Sequence, residues 1–275
     1  MSTNRCDSSW PKRLFQTLGA SALALSLGAA GASAQLSNGN FLPGSASNAP
    51  TAVWSELGVN NNGLTPQLPG WTVSGSGIDC LMLSSAPTTS TQMCGSNYGA
   101  TLTQTPGAVP GGYTGDIVVA DAYTSYAEAI TQTISGLAKN TAYSLSFYYS
   151  GAQQAGFSGS SSDYWQVAYG PSSGTNTVST PAICIPQPAS GSLCTGDASS
   201  SAPVWAKETI NFVTNSAGTQ FISFLAQGNA PANEPPFMLL ANITVSPVPE
   251  PASLALLGAG LVGLVASRRR KRREA

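Results

Sequence analysis

Few side chains in this chain could do chemistry, and every site that needs a histidine is excluded at once. The 275-residue sequence contains no histidine, so it cannot form a Ser-His-Asp triad, a Cys-His pair or a histidine metal site. Ser-Lys chemistry would need Lys139 or Lys207, and neither lies in a supporting motif. We therefore predict no catalytic residue among the serines, cysteines and lysines.

The remaining enzymatic hypothesis is hydrolysis of a glycoside by two carboxylates about 5 to 9 Å apart. Asp116, Asp121, Glu128 and Asp163 are the candidates, but a sequence cannot show their separation, and acids exposed to solvent are the simpler expectation. Asp79, Asp116 or Asp121 could instead hold a structural calcium ion, although no D-x-D-x-D-G loop supports one. We predict no enzyme activity, no cofactor and no metal site.

Residues 1–34 have the pattern of a secretory signal peptide. Basic residues precede an apolar stretch from Leu14 to Ala30, and an A-x-A cleavage signal ends at Ala34. The pattern predicts a signal helix, Sec export, and removal of the leader by signal peptidase so that the mature chain begins at Gln35. An uncleaved anchor is the alternative.

Residues 248–275 form a second signal, in which Pro249-Glu250-Pro251 precedes the uncharged apolar run 252–267. A helix over that run would be about 24 Å long, which is short for a bilayer core of about 30 Å. The basic block behind the run is a positive-inside signal, so we predict a short transmembrane helix over 252–267. A buried core helix with a solvated tail is the alternative. The predicted membrane stop consists of Arg268, Arg269, Arg270, Lys271, Arg272 and Arg273.

The order and spacing of these three parts resemble the PEP-CTERM sorting signal. The resemblance implies export in a Gram-negative bacterium, recognition by the membrane protease exosortase, and cleavage near Pro249 to Pro251. It further implies a protein that is anchored transiently in the inner membrane and then lies at the cell surface or in the extracellular matrix. Independently of the resemblance, the two prolines keep the tripeptide extended, which suits a protease site.

The region between the two signals, residues 35–247, is predicted to be one ectodomain. Its cations are Lys139 and Lys207, against nine acidic residues. Such a surface is unsuited to nucleic acid, because binding phosphate needs cations. The surface must be built mainly from Ser, Thr, Asn, Gln and Gly, which suits an extracellular setting.

The ectodomain has four cysteines, Cys80, Cys94, Cys184 and Cys194. An even number in an exported chain predicts disulfides, and three pairings are open. Cys80–Cys94 and Cys184–Cys194 are favoured because each closes a short loop rich in Ser, Pro and Thr, where a disulfide is worth about 3 kcal/mol. Two distant pairs without C-x-x-C spacing or histidine argue against zinc.

Alternation of apolar and polar residues predicts a domain of short strands. The clearest runs from Thr141 to Ser150, and the last predicted strand places Leu239, Ala241 and Ile243, together with Val245, on one face. Residues 84–115 and 171–203 are predicted to be loops. The other predicted strands lie within 69–73, 78–83, 117–120, 130–134, 165–169, 210–212 and 221–225. The predicted fold class is all-β: a single β-sandwich or jelly-roll domain, plus the cleaved signal helix and the short C-terminal transmembrane helix.

A second resemblance is carried by the order of several short motifs across the ectodomain. They are Asn38-Gly39-Asn40-Phe41, Pro69-Gly70-Trp71-Thr72-Val73, Gln132 to Leu137, Leu145-Ser146-Phe147 and Leu239 to Val245. Together they resemble the galactose-binding-like jelly roll, and Gln153-Gln154, Gly156 to Gly159, Trp165 to Val167 and Pro235 to Phe237 resemble a recurrent ectodomain of PEP-CTERM proteins. The family's usual acidic residue before the last strand is replaced by Ala241, which puts any site that depends on it in doubt.

Sugar sites stack rings on aromatic side chains beside amides, and several residues here have that chemistry. Trp71 and Trp165 lie in alternating strands, so we expect them in the core. Gln153, Gln154 and Tyr164 lie in predicted loops and are the ligand-binding candidates. Other aromatic residues that could contribute are Trp54, Trp205 and Tyr148. The sequence thus predicts a structural or adhesive role in exopolysaccharide, with a carbohydrate-binding module that has a defined glycan ligand as the alternative.

Overall fold

The computed structural model describes a little over half of the chain. The described residues are 36–42, 54–57, 68–74, 79–83, 92–93, 100–103, 106–122, 129–154, 162–171, 177–184, 186–187, 191–192, 204–229, 236–249 and 252–274. They all belong to one compact unit, Ala32–Ala275. The other unit, Met1–Gly31, lies outside them, so the predictions of a signal helix and of cleavage before Gln35 remain predictions.

Sixteen strands and one helix lie in the described part of the chain. In chain order they are β1 Trp54–Leu57, β2 Thr72–Ser74, β3 Asp79–Leu83, β4 Gln92–Met93, β5 Ala100–Thr103, β6 Asp116–Asp121, β7 Ala129–Ile134, β8 Ala142–Gln154, β9 Ser162–Gly170, β10 Val178–Ser179, β11 Ile183–Cys184, β12 Pro186–Gln187, β13 Gly191–Ser192, β14 Ala206–Val213, β15 Gln220–Asn229, β16 Pro236–Pro247 and α1 Ala252–Glu274.

The strands form two main sheets. The eight-stranded sheet has the order β1-β3-β6-β16-β8-β5-β4, with β14 beside β8, and the six-stranded sheet has the order β10-β9-β15-β7-β2, with β11 beside β9. The pairs are antiparallel, as in β16 with β8 and β15 with β9. The predicted all-β sandwich is therefore confirmed.

The main core lies between the two sheets and is rich in aromatic rings. The face of β8 that the sequence singled out contributes Tyr143, Leu145 and Phe147, all 0% exposed. From the other sheet, Phe224 meets Phe147 edge-on with ring centroids 5.0 Å apart, and Trp165 at 6.2 Å. Such contacts add roughly 0.5–1.5 kcal/mol each beyond the burial of apolar area.

A second apolar cluster lies on the outer face of the eight-stranded sheet and buries the second face of the continuous apolar runs 117–120 and 237–241. It consists of Val109, Ile117, Val119, Ala152, Phe237, Leu239 and Ala241, with Tyr113, Tyr148 and Trp205 packed against it. The Trp205 indole N–H donates to the Gly107 carbonyl at 3.0 Å. Residues 106–115 therefore cover this face, and the central strands are buried on both sides.

One predicted side-chain pattern is wrong, and a β-bulge is the reason. The register of β16 against β8 shifts between Ala241 and Thr244, where Asn242 has a φ of 52°. The extra residue reverses the alternation of side chains. Leu239 and Ala241 consequently face the outer cluster, whereas Ile243 faces the main core.

The Asn-Gly-Asn-Phe motif forms a turn whose carbonyls join three parts of the fold. The Asn38 carbonyl accepts from the Trp71 indole at 3.0 Å, and the Gly39 carbonyl accepts from the Ile243 N–H at 3.0 Å. The Asn40 carbonyl accepts from the Asp116 N–H at 2.9 Å. A β-carbon on Gly39 would lie 2.1 Å from the Ile243 carbonyl oxygen, so this position requires glycine. The motif is structural.

Strands also form inside segments that the sequence predicts to be loops. β4 and β5 lie within residues 84–115, and β8 continues past Ser150 to Gln154. Short strands also occur within residues 171–203. These strands have weak patterns of their own, and a long neighbour stabilises them: β5 pairs with the end of β8, and β10 and β11 with β9.

The helix α1 follows the Pro-Glu-Pro tripeptide and continues beyond the predicted end at Ser267 through the basic block. None of the helices described here is long and apolar enough to cross a membrane. The apolar part of α1 is shorter than the roughly 20 residues that usually span a bilayer, and the prediction of a transmembrane helix is not confirmed.

Candidate functional site

Tyr164 lies on the outer face of the six-stranded sheet, next to a glutamine that the sequence prediction missed. Along β9 the core receives Asp163, Trp165 and Val167, so the alternating side chain of Tyr164 faces away from it and is half-buried. Gln227 is directly opposite on β15. The Tyr164 hydroxyl donates to the Gln227 Oε1 at 2.5 Å, which fixes the ring and leaves the amide nitrogen to donate to another group.

On the other side of β9, the strand β11 places a cysteine next to Tyr164. Cys184 of β11 is directly opposite Tyr164, and Cys184 is disulfide-bonded. Its partner is one of the cysteines whose side chains lie outside the described part of the chain. The specific pair Cys184–Cys194, like Cys80–Cys94, therefore stays a prediction.

The sheet face around Tyr164 is uncharged. Its described side chains, on β2, β7, β9 and β15, are Thr72, Ala129, Thr131, Thr133, Ser162, Tyr164, Gln166, Ala168, Phe221, Ser223, Leu225 and Gln227. Hydroxyls, amides and two aromatic rings suit a neutral polyhydroxyl ligand, because such a ligand offers C–H faces to rings and hydroxyls to amides. An anionic ligand would find no cation among these side chains.

The other two predicted ligand residues are in a different sheet. Gln153 and Gln154 end β8 of the eight-stranded sheet, where Gln153 pairs with Thr103 and with Pro236. Only their backbone is described, so the direction of their side chains is not. They lie at the same end of the sandwich as Tyr164, but the structure does not join them to the Tyr164–Gln227 pair.

Three of the four candidate carboxylates are buried, contrary to the sequence expectation of acids exposed to solvent. Asp163 is 0% exposed, Asp116 4% and Asp121 5%, and Glu128 lies outside the described residues. Burial raises the pKa of Asp116 to about 6. Acids enclosed in this way give a polymeric substrate no open carboxylate pair among the residues that the structure describes.

The calcium candidates are also separated by the fold. Asp116 and Asp121 are the first and last residues of β6, roughly 17 Å apart along an extended strand, so they cannot share one ion. Asp79 begins β3, and its side chain is not described. In the described part of the chain, no three residues among His, Cys, Asp and Glu could hold a metal together.

The two tryptophans predicted to be in the core are there. Trp165 is 0% exposed and donates from its indole to the Leu239 carbonyl at 3.1 Å, across the two sheets. Trp71 is 7% exposed and packs against Phe41 at 5.5 Å. Neither ring is available to a ligand. Gln227 was the missed candidate, and no signal within β15 marks it, because its place beside Tyr164 comes from the register of β15 with β9.

The C-terminal signal begins inside the folded sandwich. Pro247 is the last residue of β16 and pairs with Tyr143, and the Val248 N–H donates to the Ala142 carbonyl at 2.9 Å. Pro249 is exposed. The predicted sorting tripeptide thus follows the last strand without a spacer.

Comparison with known proteins identifies this segment. Residues 247–271 match the family model described as the PEP-CTERM protein-sorting motif, which confirms the resemblance that the sequence predicts. The motif is that of an exported protein that is anchored at the membrane before processing. No curated protein matches the chain.

Among solved structures, three similar ones are binding or adhesion domains. TmCBM61 in complex with β-1,4-galactotriose is 12% identical, over 66% of this chain and 90% of that one, with a TM-score of 0.35. The CBM22-1 xylan-binding domain of Paenibacillus barcinonensis Xyn10C is 12% identical over 66% and 88%, with a TM-score of 0.30. The K1 adhesin domain of Lys-gingipain from Porphyromonas gingivalis is 13% identical over 73% and 100%, with a TM-score of 0.33. At such identities and TM-scores, nothing follows for the ligand of this chain.

Proposed function

We propose that this chain is a surface or extracellular-matrix protein of a Gram-negative bacterium, with a structural or adhesive role in exopolysaccharide. The observation that carries the proposal is the sorting motif at residues 247–271, which follows directly from the last strand of a β-sandwich. The proposed route begins with Sec export and removal of residues 1–34 by signal peptidase. The C-terminal segment then holds the chain at the inner membrane until exosortase cleaves it near Pro249 to Pro251.

The neutral polar face around Tyr164 supports a polysaccharide as the partner. A neutral polysaccharide offers hydroxyls and apolar ring faces, which match the amide, hydroxyl and aromatic groups on that face. The ectodomain has only Lys139 and Lys207 as cations, so strong binding of polyanions such as nucleic acid is not part of the proposal.

The intact mass of the protein recovered from its host, in membrane and medium fractions, tests the sorting proposal. We expect a released chain that begins at Gln35, ends near Pro249 and lacks the four hydrogens that two disulfides remove. Added hexose masses would point to attachment of glycan. A chain that keeps residue 275 and stays in the membrane fraction would overturn the matrix role.

A carbohydrate-binding module with a defined ligand is the second candidate function, and the Tyr164–Gln227 pair is the observation that favours it. A glycan array distinguishes the two roles, since saturable binding to one sugar indicates a module and weak binding to many sugars indicates general adhesion. For a module, Tyr164→Ala should weaken binding at least tenfold, or about 1.4 kcal/mol.

Tyr148→Ala is the matched control for that substitution, because Tyr148 is half-buried on the outer face of the other sheet, with the Lys207 ammonium 5.9 Å from its ring centroid. The control should bind like the parent. Equal losses in the two variants would show that Tyr164 has no specific role in binding sugar.

A further inference from the structure

The folded sandwich leaves very little chain between itself and the helix α1. Pro247 pairs with β8, and the Val248 N–H is hydrogen-bonded to the first residue of β8. The helix α1 begins at Ala252. An extended chain spans at most about 3.3–3.6 Å per residue, so Val248 and Ala252 are at most roughly 14 Å apart. That distance is small beside a folded protein, since a domain of about 100 residues already has a radius of gyration of about 13 Å.

The end of the sandwich around this exit is formed by two turns, residues 137–141 and 214–219, which we call the two-turn end. Ala142, which accepts from Val248, follows the first turn, and its partner Val213 on β14 precedes the second. Neighbouring strands are about 4.8 Å apart. The two-turn end therefore lies within roughly 10 Å of the point where the chain leaves the sheet.

Hydrogen bonds connect the two turns to each other. The Thr141 N–H donates to the Thr214 Oγ1 at 2.9 Å, and the Thr214 N–H donates to the Thr141 carbonyl at 3.0 Å. The Leu137 N–H donates to the Gly218 carbonyl at 3.1 Å. The two-turn end is thus a preformed surface, and binding against it needs little ordering of the chain.

The exposed side chains of the two-turn end are short, apart from one lysine. Lys139, Asn140, Ser216 and Ala217 are exposed, and the backbone N–H of Ala217 donates to the Asn215 Oδ1 at 3.0 Å. A shallow surface of this kind can approach another protein closely, because no long side chain except Lys139 stands on it.

We propose that the two-turn end is a docking surface for the membrane protease that cleaves the sorting signal. This inference rests on the proposed sorting: a protease that holds Pro249 to Pro251 must touch the sandwich, because no spacer separates them. The contact would make processing sensitive to the folded domain as well as to the tripeptide, and a misfolded sandwich would present the same tripeptide without the surface.

The rate of processing in the host, followed by pulse-chase and gel shift, tests the docking surface. Ala217→Arg should slow cleavage at least fivefold, because a bulky side chain would hold the two proteins apart. Lys139→Glu should slow it as well, whereas Lys207→Glu, with the same change of charge on the flank of the sandwich, should be cleaved at the parent rate. A flexible six-residue Gly-Ser insertion between Val248 and Pro249 should relieve the steric effect of Ala217→Arg but leave cleavage slower than in the parent, because it separates the tripeptide from the docking surface; full recovery of the parent rate would show that the surface does not dock the protease.

Each other outcome has a distinct meaning. Replacement of Pro249, Glu250 and Pro251 by alanines should abolish cleavage, and normal processing of that variant would overturn the sorting proposal itself. If that variant is blocked while Ala217→Arg and Lys139→Glu are processed normally, sorting stands and the docking surface is wrong. Faster processing of Ala217→Arg with slower processing of Lys139→Glu would assign the surface to anionic headgroups and would overturn docking on the protease.

Discussion

At the scale of single residues, three aspartates are buried that the sequence predicts to be exposed to solvent. A chain with so few charges can place its carboxylates in water at no cost, yet Asp116, Asp121 and Asp163 are buried. The reason is long-range: Asp116 follows the covering segment 106–115 and lies beside the turn at Asn40, which accepts its N–H. No local pattern encodes that neighbourhood.

Asp116 should make the stability of the fold depend on pH. Burial raises its pKa to about 6, above the value of about 3.9 in an unfolded chain. The folded state therefore binds more protons between these values, so the free energy of unfolding should fall as pH rises from about 4 to 6 and then stay level. Asp116→Asn should remove this fall, as measured by urea unfolding at pH 4, 5, 6 and 7.

Glu208→Gln is the control for that series, since it removes a carboxylate from β14 and leaves Asp116 in place. It should keep the dependence on pH. If Asp116→Asn shows the same decrease between pH 4 and 6 as the parent, another acid causes it and the burial of Asp116 has no energetic consequence.

At the scale of elements, the residues of β16 are divided between the main core and the outer apolar cluster. Residues 237–241 alternate between the two apolar clusters, and the bulge at Asn242 then returns Ile243 to the main core. The Gly39 turn lies against this bulge, since its carbonyl accepts from Ile243. The bulge thus adapts one strand to two environments.

The conformation of Asn242 gives a direct test of the bulge. Its φ of 52° lies in the left-handed region, which asparagine and glycine tolerate and β-branched residues do not. Asn242→Val should lower the free energy of unfolding by about 2 kcal/mol, whereas Asn242→Gly should change it by less than about 0.5 kcal/mol. Urea midpoints of both variants measure this, and equal costs would show that the side chain of Asn242, and not its backbone, matters.

The elements also show why a sequence predicts part of this fold and misses the rest. Strands whose own residues alternate, such as β8 and β9, can be located because burial of one face leaves a period of two. The bulge in β16 cannot, because L-L-A-N-I-T-V alternates equally well without it. Likewise, β5 exists because β8 extends past Ser150 to meet it, and Gln227 becomes a site residue only through its register with Tyr164.

At the scale of the whole molecule, the candidate sugar site and the sorting signal lie at opposite ends. Pro236 of β16 pairs with Gln153, whereas Pro247 pairs with Tyr143 at the other end of the same two strands. Gly228, next to Gln227, lies against the residue that follows β6, since a β-carbon on Gly228 would be 2.6 Å from the Ala122 carbonyl oxygen. Tyr164 and Gln227 are therefore at the end of the sandwich where β6 ends and β16 begins. Gln227, opposite Tyr164, is eight residues from Thr219 of the two-turn end, so at 3.3 Å per residue Tyr164 lies roughly 26 Å from that end.

This polarity predicts that processing does not change the binding of polysaccharide. In the proposed anchored form, the two-turn end would face the membrane, and the Tyr164 face would lie far enough away for a polymer to reach it. The released protein from the medium and the uncleaved protein on cells lacking the protease should therefore bind the same polysaccharide with affinities within about twofold, and Tyr164→Ala should weaken both equally. A tenfold weaker affinity before cleavage would place the binding face near the membrane, and cleavage would then act as the step that exposes it.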